Sequence, residues 1–277
     1  MDSPNKIVND ISDKSEYSKT YPQITNQNYG AIHEIHIFLL PLNPEPALVQ
    51  KAMQLTEEFN KNKVGDIQEY AMKMCFLTLV FRKLGPVKVL QSARYFRSND
   101  QNEVIKQAYI DANYFVANGF DVVRVKIEAN AHSNTGVPIE DNEAQLYPKY
   151  FEFHIKVQHK TAEKAELITE DESNALIDIS KKFTKAFETP VPLSWNNVAN
   201  CANPDNPGFQ RFLNVRFRQI GFKKCKEQLD VIKSAITDQT NFKVMKSIDE
   251  YVWYDSFTDL DHGWIDFTPQ ELKEVLA

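Results

Sequence analysis

The sequence predicts an α+β protein built from two tandem ferredoxin-like (βαββαβ) halves whose sheets face each other around a central cleft. Three observations lead there. Apolar spacing alternates between strand and helix in the order β-α-β-β-α-β, and the order then restarts. Short segments of the first half recur in the second, in the same sequence and at nearly constant offset. Matched strands carry ionisable residues at alternate positions, so each sheet has one face for helices and one polar face that needs a cover.

Residues 1–28 are polar, rich in Ser, Asn, Asp and Lys, and read as a flexible arm. The first half covers residues 29–131. In "AIHEIHIFLLP", Ile35, Ile37 and Leu39 alternate with Glu34, His36 and Phe38, a strand closed by Pro41, Pro44 and Pro46. "EPALVQKAMQLTEEFNKN" has helical spacing, and "MKMCFLTLVF" reads as a buried strand. Gly85-Pro86 marks a turn into the strand "VKVLQSARYFRS". "NDQNEVIKQAYIDANYFVANGF" predicts a helix capped by Asn99 or Asp100 and stopped at Gly119, with "DVVRVKIEAN" as the next strand.

A polar connection, residues 132–147, leads to the second half, residues 148–257. "KYFEFHIKV" is its first strand. "EDESNALIDISKKFTKAF" is a helix with acidic residues in its first turn and lysines near its end, as the dipole favours. "VPLSWNNVA" is a weak strand and "QRFLNVRFRQI" a clear one. The helix "KKCKEQLDVIKSAI" and the strand "FKVMKSIDEYVWYD" complete the order, and residues 258–277 form a tail with a short helix after Pro269.

The repeat rests on three alignments. "EIHIF" matches "EFHIK" and pairs His36 with His154, "ARYFR" matches "NVRFR" and pairs Arg97 with Arg218, and "FDVVRVKIE" matches "FKVMKSIDE". The last pairs Arg124 with Lys246 and Glu128 with Glu250. If the halves close face to face, Ile35, Ile37, Phe153 and Ile155 meet the helices, and Glu34, His36, Glu152, His154 and Lys156 share the interior.

Composition narrows the function. Hydrophobic residues make up 42% of the 277, enough for a core, and the net charge of −6 excludes a general nucleic-acid coat. No apolar run approaches the roughly 20 residues of a membrane span, and no secretory signal is seen, so a cytoplasmic location is expected. The cysteines, Cys75, Cys201 and Cys225, have no CxxC spacing, which argues against a disulfide framework or zinc ribbon. The eight glycines form no GxGxxG or P-loop pattern. Cys75 on its apolar strand is expected to be inert, and Cys225 to sit on a basic surface helix.

Buried charge is costly unless it is paired, so an interior with two histidines, several glutamates and several basic residues points to a ligand. His36 and His154 suit acid and base roles near neutral pH. Arg97, Arg124, Lys126, Lys156 and Arg218 suit an anionic ligand. Glu34, Glu128 and Glu152 suit orientation of these groups or metal binding. No motif requires a cofactor; a divalent metal is compatible. The expected partner is an anionic small molecule, phosphorylated or nucleotide-like, and the sequence points to no protein partner. Two readings stand beside this one: a non-catalytic ligand-binding or interaction module, and a divalent-metal-dependent enzyme. His132, the cluster Asp259, Asp261, His262 and Trp264, and the connection after Trp195 are weaker candidates, read as a surface loop, a packed terminal turn and a loop.

Two lobes that each give a strand histidine to a central cleft resemble the 2H phosphoesterases. That resemblance implies phosphodiesterase activity with His36 and His154 as the acid–base pair. The family's His-x-Thr/Ser motif is matched here by His36-Ile37-Phe38 and His154-Ile155-Lys156, which lack the hydroxyl. The segments "RVKIEA" and "YFEFHIKV" are similar to a family of uncharacterised proteins, a likeness that implies no activity.

Overall fold

The computed structural model describes residues 29–62, 71–81, 85–133, 136–144, 149–160, 170–189, 191–196 and 210–257. The N-terminal arm, the C-terminal tail with its Asp259–Trp264 cluster, Cys201 and most of the connection after Trp195 lie outside them.

The first set of elements is β1 (Ile32–Leu40), α1 (Pro46–Asn62), β2 (Lys73–Phe81), β3 (Gly85–Arg97), α2 (Gln101–Ala117) and β4 (Asp121–Asn130). The second is β5 (Tyr150–His159), α3 (Glu170–Phe187), β6 (Leu193–Asn196), β7 (Gln210–Phe217), α4 (Phe222–Gln239) and β8 (Phe242–Asp255). The strands form one closed antiparallel barrel in the order β1-β3-β2-β6-β7-β5-β8-β4. Each set contributes four adjacent strands in the same relative order, with its first strand between its third and fourth. The two sheets do not merely face each other; their edges pair. β4 meets β8 from Lys126↔Asp255 to Asn130↔Glu250, and β2 meets β6 at Leu77↔Asn196, Thr78↔Trp195 and Leu79↔Ser194. Closure gives every strand a neighbour on both sides, with β6 contributing three pairings to β2 and two to β7.

Alternation sorts the side chains. Ile35, Ile37, Phe153 and Ile155 point outward into a core shared with the helices. On α2, Val104, Ile105, Ala108, Ala112 and Phe115 recur at helical spacing and supply the covering stripe. Asp100 is its N-cap and accepts a hydrogen bond from the Asn102 N–H at 2.9 Å, and Gly119 follows at φ 81, where a side chain would be strained. On α4, Leu229, Ile232 and Ile236 are wholly buried against β5 and β8. Cys225 belongs to the same stripe. It is buried rather than on the surface as expected, and burial pushes its thiol upward.

The barrel interior is divided. One end is filled by Phe38, Leu79, Val87, Val89 and Val123, with Leu40, Leu42, Leu77 and Phe257 against them. Polar side chains occupy the remainder. A bulge in β8 opposite Ile127 and Glu128 sets the boundary: Tyr254 pairs with Ile127 and Val252 with Glu128, which leaves Trp253 extra. Tyr254 thereby reaches the helix side, where its hydroxyl meets that of Tyr109 at 2.7 Å, and Asp255 turns inward to Arg124.

Candidate functional site

Strands β1, β4, β5 and β8 place four carboxylates and two histidines below one mouth of the barrel. His36 Nε2 lies 2.8 Å from Glu128 Oε2 and 3.9 Å from Glu34 Oε1. On the matching strands, His154 Nε2 lies 3.0 Å from Glu250 Oε2. Each imidazole is held at its other nitrogen by an amide from the next strand: His36 Nδ1 by Gln91 and His154 Nδ1 by Asn214, the latter at 2.6 Å. The histidines therefore converge in the interior, as alternation requires.

Beneath them, Lys126 bridges two carboxylates, with Nζ 2.5 Å from Glu128 Oε1 and 2.6 Å from Glu152 Oε2. Arg216 holds the other oxygen of Glu152 at 2.6 Å. These contacts set the protonation states. Burial opposes ionisation of Glu152, but Arg216 and Lys126 hold its carboxyl well below the usual range. Lys126 and His36 do the same for Glu128 against its burial, and Glu128 and Glu152 keep Lys126 charged despite burial. Burial also works against a charge on His36, yet Glu128 and Glu34 raise its pKa. His154 rises to about 9, because Glu250, Glu152 and Glu128 outweigh desolvation. Burial and the charge of Glu128 push Glu250 up to about 7.

Above this floor is a cavity of about 410 Å³ whose walls include Glu34, Glu128, Glu250, Tyr95, Arg97 and Ile248. The carboxylates face the cavity, while the histidines stand behind them and neither lines it. That revises the direct acid–base roles expected for His36 and His154. Each pairs with a carboxylate that lines it.

Other expected ligand residues lie elsewhere. Arg124 is wholly buried; its Nε donates to Asp255 at 2.8 Å and its Nη2 to the Tyr150 hydroxyl at 2.9 Å. That guanidinium ties β4, β5 and β8 together and is closed to a ligand. Lys126 and Glu152 are likewise bound into the floor. Arg218 stacks on the Tyr150 ring at 4.3 Å. Lys156 sits opposite Lys246 on β8, outside the cavity wall, and burial with the neighbouring ammonium lowers its pKa. Arg97 alone of the five expected basic residues lines the cavity. Glu34 and Glu128 also line it. His132 hydrogen-bonds to Asp249 at 2.9 Å and anchors the turn after β4. Cys75 is partly buried on β2, with a thiol raised to about 11 by burial and Glu34. Phe217, Tyr251 and Trp253 are core, whereas Tyr95 borders the cavity.

A cavity-lining carboxylate that the sequence reading did not select is Glu250. The signal was present, because the repeat aligns Glu250 with Glu128, and a matched strand position faces the same interior.

Comparison of the sequence with protein-family models and with curated proteins found no match. Among solved structures, the chain is similar to a dye-decolorizing protein from V. cholerae at 11% identity, over 83% of this chain and 95% of that one, with a TM-score of 0.24. It is similar to a heme-binding protein from Thermus thermophilus at 11% identity, over 89% and 95%, with a TM-score of 0.28. An anthrone oxidase-like protein matches at 12% identity, over 81% and 92%, with a TM-score of 0.24. Likeness at this level carries no argument about ligand or activity.

Proposed function

We propose that the barrel binds a small polar molecule in its mouth cavity and moves a proton on it through the two histidine–carboxylate pairs at the cavity floor. One observation carries the reading: His36–Glu128 and His154–Glu250, from matched strands, meet beneath a cavity that their carboxylates line. Burial and the charge of Glu128 bring the Glu250 carboxyl to about 7, where it is suited to both accept and donate a proton. A phosphoester is the first substrate class to test, with Arg97 as the contact for its anionic group. We also infer that the two sets of elements are copies of one ferredoxin-like unit. Their common strand order and the correspondence of His36 with His154 and Glu128 with Glu250 support that descent.

The test is a screen of the purified chain against linear and cyclic phosphodiesters and phosphomonoesters, with and without divalent metal. Turnover, or a raised melting temperature with one compound, should fall at least about tenfold in Glu250→Gln. Activity that survives Glu250→Gln combined with Glu128→Gln would place the chemistry elsewhere.

A further inference from the structure

The two nitrogens of His154 are assigned by their neighbours. The Asn214 amide Nδ2 donates to the Pro192 carbonyl at 3.4 Å and to Ser194 Oγ at 2.8 Å. A carbonyl only accepts, so Asn214 Oδ1 is the atom turned toward His154. His154 Nδ1, 2.6 Å from that oxygen, must therefore carry a hydrogen. In the neutral imidazole, the lone pair is then on Nε2, which faces Glu250 Oε2 at 3.0 Å. Two acceptors at that distance need a proton or a metal ion between them.

The surroundings make the same demand. Below the rim, the carboxylates of Glu34, Glu128, Glu152 and Glu250 face Lys126 and Arg216. Four carboxylates stand against Lys126 and Arg216, with Arg97 on the cavity wall, and the remaining negative charge is met by imidazolium protons or by a metal ion. One donor atom from each of Glu128, His154 and Glu250 lies within 4.8 Å of the others, and Glu34, His36 and Glu128 form a second such group. Glu128 belongs to both.

We propose that the floor of the mouth cavity is a divalent transition-metal site whose protein ligands are His154 Nε2 and the carboxylates of Glu250 and Glu128. A tetrahedral ion bound at about 2.1 Å separates its donors by about 3.4 Å, so the His154–Glu250 pair needs little adjustment. Mixed nitrogen and oxygen donors suit Zn²⁺, Co²⁺ or Mn²⁺ better than Ca²⁺ or Mg²⁺. The supporting contacts are those of a ligand set: Asn214 fixes the imidazole, and Lys126 holds the second oxygen of Glu128. Three protein ligands leave a coordination position open, and Glu128 and Glu250 direct it into the cavity. A small molecule with an anionic oxygen, carboxylate or phosphate, is the class that completes it. The ion replaces the proton shared by His154 and Glu250, so proton transfer through Glu250 belongs to the metal-free protein. The metal site goes beyond the proposed function and holds without it.

The full chain, stripped with a chelator, is titrated with Zn²⁺ and Co²⁺ by calorimetry and analysed for metal after desalting. One ion per chain should be retained, with Kd of about 10 μM or tighter. His154→Ala and Glu250→Gln should each weaken binding by at least about tenfold, whereas Glu34→Gln should change it by no more than about threefold. Circular dichroism melts confirm that the variants fold. A second measurement needs no variant: Mn²⁺ should broaden the imidazole resonances of His154 and His36 and spare His159. No retained ion in the wild type, loss in Glu34→Gln with retention in Glu250→Gln, or broadening confined to His132 or His159 would each overturn the site. Metal binding without turnover of any phosphoester leaves the site standing and removes the substrate reading. Turnover by metal-free protein that retains no ion does the reverse.

Discussion

A buried imidazole is a proton store whose depth depends on its neighbours, and His154 is the case here. Facing it are Glu250 and Ile248 from β8, Glu152 on its own strand, Asn214 from β7 and Glu128 from β4, with Lys126 and Arg216 behind the carboxylates. Its folded pKa of about 9 lies above the 6.5 of a free imidazole. Protonated His154 therefore stabilises the fold fully below pH 6.5, and that contribution disappears as pH rises through 9. Glu250 acts in the same direction at lower pH: its carboxyl at about 7 lies above the usual 4.5, so stability from its proton is lost between those values. Glu128 and Glu152 oppose this only in acid, where their depressed carboxyls must be protonated. The metal-free protein should thus lose melting temperature between pH 6.5 and 9, with a slope of at most about 1.4 kcal/mol per pH unit for one proton. His154→Gln should flatten that slope. A melting temperature that rises over the interval in wild type would show that the pair does not hold the proton. The inward placement of His36 and His154 was legible from alternation, because a period of two leaves a strand no other choice. Their partners were not. Glu128 is 92 residues from His36, and Arg124 finds its carboxylate 131 residues away at Asp255. No local pattern distinguishes a basic residue offered to a ligand from one already committed to an ion pair.

At the scale of elements, strand order was legible because spacing and turn residues changed together, and even the weak segment around Trp195 is the strand β6, though only four residues long. The β8 bulge was not legible. "YVWYD" alternates without a visible break, and the extra residue is imposed by pairing with β4. The entry to α4 was read as a basic helix start, but its function is anchorage. The Gly221 N–H donates to Asp141 Oδ1 at 2.8 Å, the Phe222 N–H to the Pro138 carbonyl at 2.9 Å, and the Lys223 N–H to the Ile139 carbonyl at 3.2 Å. The segment between the halves thereby satisfies the donors that every helix leaves at its start. The fit depends on glycine: a Cβ at position 221 would lie 2.4 Å from the Ile139 carbonyl oxygen and from the Glu140 carbonyl carbon. Both contacts are backbone and cannot rotate away. Gly221→Ala should therefore destabilise the protein by roughly 1–3 kcal/mol, the range for overpacking, as measured by urea unfolding. A change below about 0.5 kcal/mol, typical of an unconstrained surface position, would show that the connection moves freely on α4.

For the whole molecule, the site depends on closure. β4 and β8 are the strands at which one set of elements pairs with the other, and they carry Glu128 and Glu250. The ion pair from Lys126 to Glu152 likewise crosses from the first set to the second. Neither set alone holds the site, and each alone would expose two unpaired strand edges and the polar face of its sheet. The same edges make reassembly favourable, since it pairs their ladder groups and restores the Lys126–Glu152 ion pair. If the sets are copies of one unit, each retains its own helices and outward core and can fold well enough to find the other. Residues 1–144 and 145–277, produced as separate chains, should therefore associate one to one. The complex should regain the metal retention, or the ligand-induced thermal shift, of the intact protein, and neither fragment alone should show it. Size-exclusion chromatography with light scattering reads the stoichiometry. Glu152→Lys in the second fragment sets like charge against Lys126 and should weaken association by at least about tenfold. Fragments that form only homodimers would mean that the β4–β8 and β2–β6 seams do not discriminate one set of elements from the other. Fragments that remain apart as folded monomers would mean that closure is not what holds Glu128 beside His154.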